Sequence, residues 1–231
     1  MQIDLNFMQA TFFLSLKALP VTLGITVIAL LAAAPLGFFM ALCGIYRIRV
    51  LQQLSALYIS FVRGTPIVLQ ILIVYSLVPS LLNGFVVRMG WPINIFDINP
   101  IAYACLVFAL NNAALLAELF RSGLLAVDSG QHEAALSSGL TLAQSYYRIL
   151  IPQALVSSLP NICNLTINLI KNTSLVFLMT VKDVTATAKI AASYGYNYVE
   201  AYLDIFVIYI LICGLTQVLF TRLERTFTHA Y

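Results

Sequence analysis

Five polar residues, Ser157, Asn161, Asn164, Asn168 and Asn172, recur at spacings of four, three, four and four in an otherwise apolar stretch. That period places them along one face of a helix. Asn111, Glu118 and Arg121, spaced seven and three apart, form a second such face with Asn112 beside it. A third stretch supplies Thr65 and Gln70, and Arg63 stands one helical repeat before Gln70. Asparagine and glutamine offer acceptors to an ammonium group and donors to a carboxylate without fixing a buried charge, so such a set can bind a zwitterion and release it. The competing use of these amides is to hold helices together by interhelical hydrogen bonds, measured at about 0.6 kcal/mol each on average. A single asparagine is explained by the second use. Amides and hydroxyls shared among three apolar stretches favour a polar pathway that faces protein or water.

The charged groups in these stretches read differently. Glu118 and Arg121 are set for an i, i+3 ion pair, with Arg121 reaching toward the headgroups, and a structural role is favoured over substrate contact. Lys171, followed by Asn-Thr-Ser, has two readings. Either the helix loosens there and Thr173 and Ser174 satisfy freed backbone groups, or the lysine neutralises a carboxylate. Cys43, Cys105, Cys163 and Cys213 are widely spaced in apolar segments, which suits buried small side chains and neither a zinc site nor a disulfide framework. His132 and His229 are too isolated for a metal centre. No metal site is expected.

Such faces must be carried by helices in an apolar medium. The chain has 231 residues, 61% hydrophobic and 9% charged, with a mean hydropathy of +0.94, which excludes an ordinary soluble domain. Charge-free runs cover residues 18–46, 64–87, 98–117, 149–170 and 205–221, most of them near the twenty or so residues that cross a bilayer. An all-α membrane protein with five transmembrane helices follows. The second span is expected to begin near Leu54, because "LSALYISFV" extends it on the N-terminal side and Arg63 could face a bundle interior. The opening "MQIDLNFMQATFFLSLKAL" has neither a basic start nor a small-residue cleavage site, so a signal peptide is not expected. Residues 1–17 read instead as an amphipathic lead-in, with Phe7, Met8, Phe12, Leu14 and Leu16 at the membrane interface. The membrane domain is then 18–222, with a cytoplasmic tail at 223–231. Arg47, Arg49, Arg63, Arg121, Arg148, Arg222 and Arg225 fall toward one side, against Lys17, Arg88, Lys182 and Lys189 on the other. The positive-inside bias therefore puts the N-terminus outside and the C-terminus in the cytoplasm. A net charge of +3, dispersed along the chain, is no footprint for nucleic acid.

Between the third and fourth runs lies "EAALSSGLTLAQSYYRILIP", Glu133 to Pro152, a helix-prone polar interruption expected on the cytoplasmic side. Glu133 near a helix start suits the dipole, with Gln131 or Ser129 as cap. Gly139, with the small Ser137 and Ser138 beside it, is expected to end or bend that helix, and a second short helix is expected from Thr141 to Leu150 before Pro152 opens the next span. The small side chains of Ala134, Ala135 and Gly139 let another protein approach closely, and Leu136 and Leu140 give apolar grip. Spacing alone leaves a docking element and a plain connecting helix pair both open.

The stretch resembles the EAA loop of the permease subunits of bacterial ABC importers, whose pattern is Glu-Ala-Ala, Gly, then Ile-x-Leu-Pro, with Ile151 here replacing the usual Leu. "LPVTLGITVIALLAAAPLGFFMAL", "YISFVRGTPIVLQI", "AELFRSGLLAVDSGQHEAA" and "LIKNTSLVFLMTVKDV" are similar to the polar amino acid branch of that family. The resemblance implies a type I ABC importer fold and several partners. These are a second permease subunit, identical or related, two cytoplasmic ABC ATPase subunits docked on the EAA loops (131–152), and an extracytoplasmic solute-binding protein that delivers an amino acid. Glu133, Ala134, Ala135 and Gly139 would couple to the ATPases. Thr65, Gln70, Asn111, Asn112, Asn164, Leu165 and Asn168 would contact substrate. No Gly-x-x-x-x-Gly-Lys-Ser/Thr motif occurs, so this chain is expected to be no enzyme and to hold no cofactor of its own, with ATP and Mg on the partner ATPases. Relatives for cationic amino acids often read Asn-Glu in the fourth span where this chain has Asn164 and Leu165. Without that counter-charge a cationic substrate is disfavoured, leaving a neutral or zwitterionic one such as glutamine or cystine. Two rivals explain part of the pattern. A stand-alone channel or carrier would use the polar stripes without ATPases, and a membrane scaffold would use only the loop.

Overall fold

A computed structural model describes residues 3–228, and every regular element among them is helical. In chain order these are α1 (Leu5–Leu16), α2 (Leu19–Ile45), α3 (Arg49–Gly64), α4 (Ile67–Arg88), α5 (Pro100–Ala126), α6 (Ser129–Ser137), α7 (Leu142–Ser145), α8 (Ile151–Thr173), α9 (Val184–Gly195) and α10 (Tyr198–Thr228). A π-helical turn, Tyr146–Leu150, joins α7 to α8, and a 3₁₀ segment, Ser174–Met179, follows α8. Among the described residues, five stretches are long and apolar enough to cross a membrane: Leu5–Ile45, Ile67–Arg88, Pro100–Ala126, Leu142–Met179 and Tyr198–Phe227. His229 lies outside the described residues.

Local chemistry sets several boundaries. Pro100 opens α5, where a missing N–H costs nothing, and the Asn99 side chain accepts from the Ile101 amide at 3.0 Å. The expected unbroken second span is divided at Thr65-Pro66, with Thr65 in extended conformation. Proline disfavours helical geometry in the residue before it and cannot donate to the ladder. The expected start near Leu54 therefore falls within α3, which is a helix in its own right. Arg63 is exposed on this chain and does not face its interior.

The spine of the bundle is the α2–α5 pair. A Cβ on Gly37 would sit 2.8 Å from Leu116 Cβ and 3.0 Å from the Ala113 carbonyl oxygen, so the two backbones meet only because that side chain is missing. Gly123 plays the same part between α5 and α8, where a Cβ would collide with Ser158 Oγ and stand 3.2 Å from the Ala154 oxygen. Lipid tails are as apolar as leucine, so helices in a bilayer associate through this kind of close packing. Ile25 and Ala29 of α2, Ile71 of α4, Val107 and Phe108 of α5 and Leu169 of α8 complete the largest core. We expect Gly37→Val to destabilise the bundle by about 1–3 kcal/mol through overpacking, measured as a lower unfolding temperature in detergent.

The N-terminal helix does not present the side expected of it. Phe12 and Leu16 pack against Ile170, Val184, Ile208 and Ile212, and Phe7 packs beside Ala188, Ala192 and Ala201. Thr11 and Ser15 are buried in the same face, while Phe13 and Leu14 are exposed. The physical reason is the company α1 keeps: it lies on α9 and α10, which cover the mixed stripe that lipid alone would leave unsatisfied.

Candidate functional site

The break between α3 and α4, immediately before the span Ile67–Arg88, frees backbone carbonyls, and Gln70 answers them. Its Nε2 donates to the Val62 oxygen at 2.9 Å, to Thr65 Oγ1 at 2.8 Å and to the Thr65 oxygen at 3.2 Å. Thr65 Oγ1 in turn donates to the Phe61 oxygen at 2.9 Å. Asn111 Nδ2 donates to Gln70 Oε1 at 2.9 Å, tying the break to α5, and Tyr58 donates its hydroxyl to the Leu110 oxygen at 2.7 Å one residue away. Thr65, Gln70 and Asn111 are thus brought together, with most of their capacity spent on each other and on the backbone. Asn112 is not with them. It is buried and folds back on its own helix, donating to the Phe108 oxygen at 2.8 Å.

The α8 stripe has a different setting. Ser157, Asn161, Asn164 and Asn168 are exposed on this chain and Asn172 is half-buried, while Cys163, Leu165, Leu169 and Ile170 occupy the opposite, packed face. Ser157 Oγ donates to the Ala154 oxygen at 3.0 Å, but none of the four asparagine amides has a side-chain partner among the described residues. Leu165 lies with Ala113, Leu116 and Met40 in the cluster beneath, so it does not share a face with Asn164 and Asn168 as a contact residue would. Sequence period placed the stripe on one face without telling which way that face turned. Lys171 is exposed, and the helix loosens just after it: Thr173 Oγ1 donates to the Ile170 oxygen at 2.6 Å and the 3₁₀ segment begins. The loosening and the Thr173 bond match the first reading of this lysine, whereas the Ser174 hydroxyl makes no such bond among the described residues.

The loop between the third and fourth spans is built from local caps. Asp128, rather than Ser129 or Gln131, caps α6, accepting from the Gly130 amide at 2.7 Å. Gly139 has φ +82°, a left-handed conformation natural to glycine, and the Leu140 amide closes the helix on the Ala135 oxygen at 3.1 Å. Thr141 and Gln144 then form a reciprocal capping box for α7. The expected second short helix is not separate. It runs through the π-helical turn into α8, so α7, the turn and α8 form one continuous rod. His132 Nδ1 lies 2.8 Å from Ser145 Oγ and its ring packs edge-on against Tyr146, which seats α6 on the head of that rod. Neither contact was legible in sequence, since His132 is separated from its partners by the Gly139 turn. Glu133, Ala134, Leu136 and Gly139 are exposed, whereas Ala135 is buried on the underside. Glu118 and Arg121 pair at 2.9 Å, both half-exposed, with Arg121 lying over Gly44 of α2.

Residues 33–229 match the family described as binding-protein-dependent transport system inner membrane component. The L-cystine transport system permease protein TcyL of Bacillus subtilis (strain 168) is 39% identical over 223 residues, which covers 96% of this chain and 90% of the relative. The probable amino-acid permease protein YxeN of the same organism is 37% identical over 229 residues, covering 99% of this chain and 98% of the relative. A crystal structure of an amino acid ABC transporter with histidines superposes with a TM-score of 0.79 at 30% identity, covering 98% of this chain and 100% of the other. A family match over most of the chain, on a five-span helical fold with a capped loop before the fourth span, places this protein among multi-pass inner-membrane subunits that work with separate ATPase and substrate-binding subunits and a second permease. The chain belongs to the inner-membrane components of binding-protein-dependent transport systems and is a permease subunit of an amino acid ABC importer.

Proposed function

We propose that this permease moves a neutral or zwitterionic polar amino acid inward by alternating access. The observation that carries the reading is the α8 face. Asn161, Asn164 and Asn168 stand exposed on a spanning helix with no amide partner among the described residues, and lipid cannot satisfy them. A second permease subunit covers that face and leaves a polar path between the two, with Asn164, Asn168 and Asn111 as contact groups. Thr65 and Gln70 brace the path, and Leu165 and Asn112 set its walls from beneath. The membrane domain is 18–222, the N-terminus lies outside, and α6 and the tail lie in the cytoplasm. Two ATPase subunits grip the exposed face of α6. ATP, with Mg on those subunits, closes the pair, and the α7–α8 rod transmits the motion. An external binding protein delivers the solute. None of the residues assigned to the path is a carboxylate, which favours cystine or glutamine over arginine, and a relative named for L-cystine agrees.

The test is uptake into proteoliposomes holding the permease pair, its ATPases and its binding protein. Cystine or glutamine should be carried in preference to arginine, and the permease alone should be inert. Asn164→Leu with Asn168→Leu is expected to lower uptake by about tenfold or more with an unchanged unfolding temperature. Arginine preference, or transport by the permease alone, would overturn the reading.

A further inference from the structure

Two hollows flank α9, and Lys182 and Ile190 line both of them. The first, between α1 and α9, has a volume of about 420 Å³ and is chiefly apolar, with Phe7, Ala10, Leu14, Ala191 and Tyr194 in its walls. The second, of about 460 Å³, lies between α9, the 3₁₀ segment and the start of α10, and is lined by Phe177, Thr180, Lys189, Ser193 and Tyr198. Both are of a size that holds a small-molecule ligand. The second stands where the chain leaves one span and enters the next: Phe177 lies in the last turn of the span Leu142–Met179, and Tyr198 opens the span Tyr198–Phe227. That is headgroup level, and the exposed Tyr194 and Tyr196 of the same connection are residues of the kind that collect there. Phe7, Ala10 and Leu14 belong to the span Leu5–Ile45, so the first hollow reaches apolar depth.

Neither lysine forms an ion pair with a carboxylate among the described residues. Asp183, which falls between them in sequence, is turned inward. It is fully buried, its Oδ1 accepts from the Ala186 amide at 2.8 Å, and its other oxygen faces the Tyr209 hydroxyl at 3.5 Å. Lys189 is half-buried, and its Nζ stands 3.8 Å from the centre of the Phe177 ring. Such a cation–π contact fixes an ammonium in place without neutralising it, whereas a lysine that only reaches for water has no need of an anchor. Thr180 Oγ1 and the Tyr75 hydroxyl are 3.1 Å apart, and one hydrogen bond between two hydroxyls leaves the second hydrogen free to donate. The second hollow therefore offers an anion two uncompensated positive charges and a hydroxyl donor. Compact ammonium groups suit phosphate, which they bind as point charges. Because Lys182 and Ile190 also wall the first hollow, the anion site continues into an apolar groove.

We propose that the two hollows are one binding site for an anionic phospholipid, its phosphate held by Lys182 and Lys189 and an acyl chain laid in the groove between α1 and α9. Basic pockets beside spanning helices recognise anionic headgroups in this way. A zwitterionic lipid brings a cation that the lysines repel, and a soluble phosphate leaves the groove unfilled. Bound there, the lipid fastens α1 to α9, and its site is independent of which solute the permease carries.

The experiment is thermal unfolding of the purified permease assembly in detergent, titrated with phosphatidylglycerol, with phosphatidylcholine of the same acyl chains, or with glycerol phosphate. Phosphatidylglycerol is expected to raise the unfolding temperature saturably, by about 3 °C or more over phosphatidylcholine, since a ligand bound only to the native state stabilises it by mass action. Glycerol phosphate, with no chain for the groove, should have no effect at the same concentrations. Lys182→Gln and Lys189→Gln should each remove most of the phosphatidylglycerol advantage. Arg88→Gln, an equal charge change at an exposed residue that lines neither hollow, should keep it. As a second readout, the unaltered assembly passed through gel filtration after exposure to an equimolar mixture of the two lipids should retain phosphatidylglycerol several-fold over phosphatidylcholine. Equal stabilisation by the two lipids, or equal retention, would overturn the proposal. An advantage that survives in either lysine variant would overturn it by placing the lipid elsewhere, and one lost in Arg88→Gln as well would reduce it to net charge. Matching stabilisation by glycerol phosphate would make the occupant a soluble anion instead.

Discussion

Gly139→Trp is expected to cut uptake by about a hundredfold, equivalent to nearly 3 kcal/mol of lost coupling, while the unfolding temperature falls by only a few degrees. The structure separates the two consequences. A side chain at Gly139 would meet nothing within 4 Å, so the fold has room for it. The left-handed backbone, φ +82°, exacts about 1–2 kcal/mol from a residue with a Cβ, at an exposed turn held by local caps. In the proposed docking, what tryptophan destroys is the close approach of an ATPase subunit to the exposed face formed with Glu133, Ala134 and Leu136. Gly139→Asn tells strain from obstruction, because asparagine visits this conformation more readily than most residues and adds little bulk. It is expected to keep most of the uptake. Paired measurements of uptake and of ATPase retention on the purified permease check both variants; full uptake by the tryptophan variant would remove the docking role of this turn.

Gln70→Leu carries the second large effect, and its target is the fold. It strips donors from the Val62 and Thr65 oxygens and the acceptor from Asn111 Nδ2. At a conservative share for each group left unpaired, the loss comes to about 3 kcal/mol, or roughly 6–12 °C in unfolding temperature. Gln70→Glu is the sharper probe, since a carboxylate of the same shape can still accept from Asn111 but cannot donate to either carbonyl. It should also destabilise. A Gln70 that served substrate alone would instead raise KM in both variants and leave the unfolding temperature where it was.

Gln70 also shows where sequence reasoning reached and where it stopped. Thr65, Gln70 and Asn111 were legible as a polar set in apolar surroundings, and the structure brings them together. Their use for one another was not legible, because the bond between Gln70 and Asn111 joins residues 41 positions apart. Asn112 and Leu165 carried the same expectation as their neighbours and turned out to belong to the packed interior. One step along a helix is about 100° of rotation, and periodicity gives relative angles between residues but no origin for them.

The sequence by itself determined what depends on neighbours a few residues away or on the solvent. Five membrane crossings follow from hydropathy and length. The Glu118–Arg121 pair, the single-faced amide stripe and the turn at Gly139 follow from helical spacing and backbone stereochemistry. The tertiary structure alone decided that α1 buries its mixed stripe on α9 and α10, that α7 and α8 form one rod, that the amide stripe faces out of this chain, and that Asp183 and Tyr209 meet. In a bilayer each of those outcomes turns on which partner satisfies a polar group that lipid cannot, and those partners come from distant parts of the chain or from another subunit.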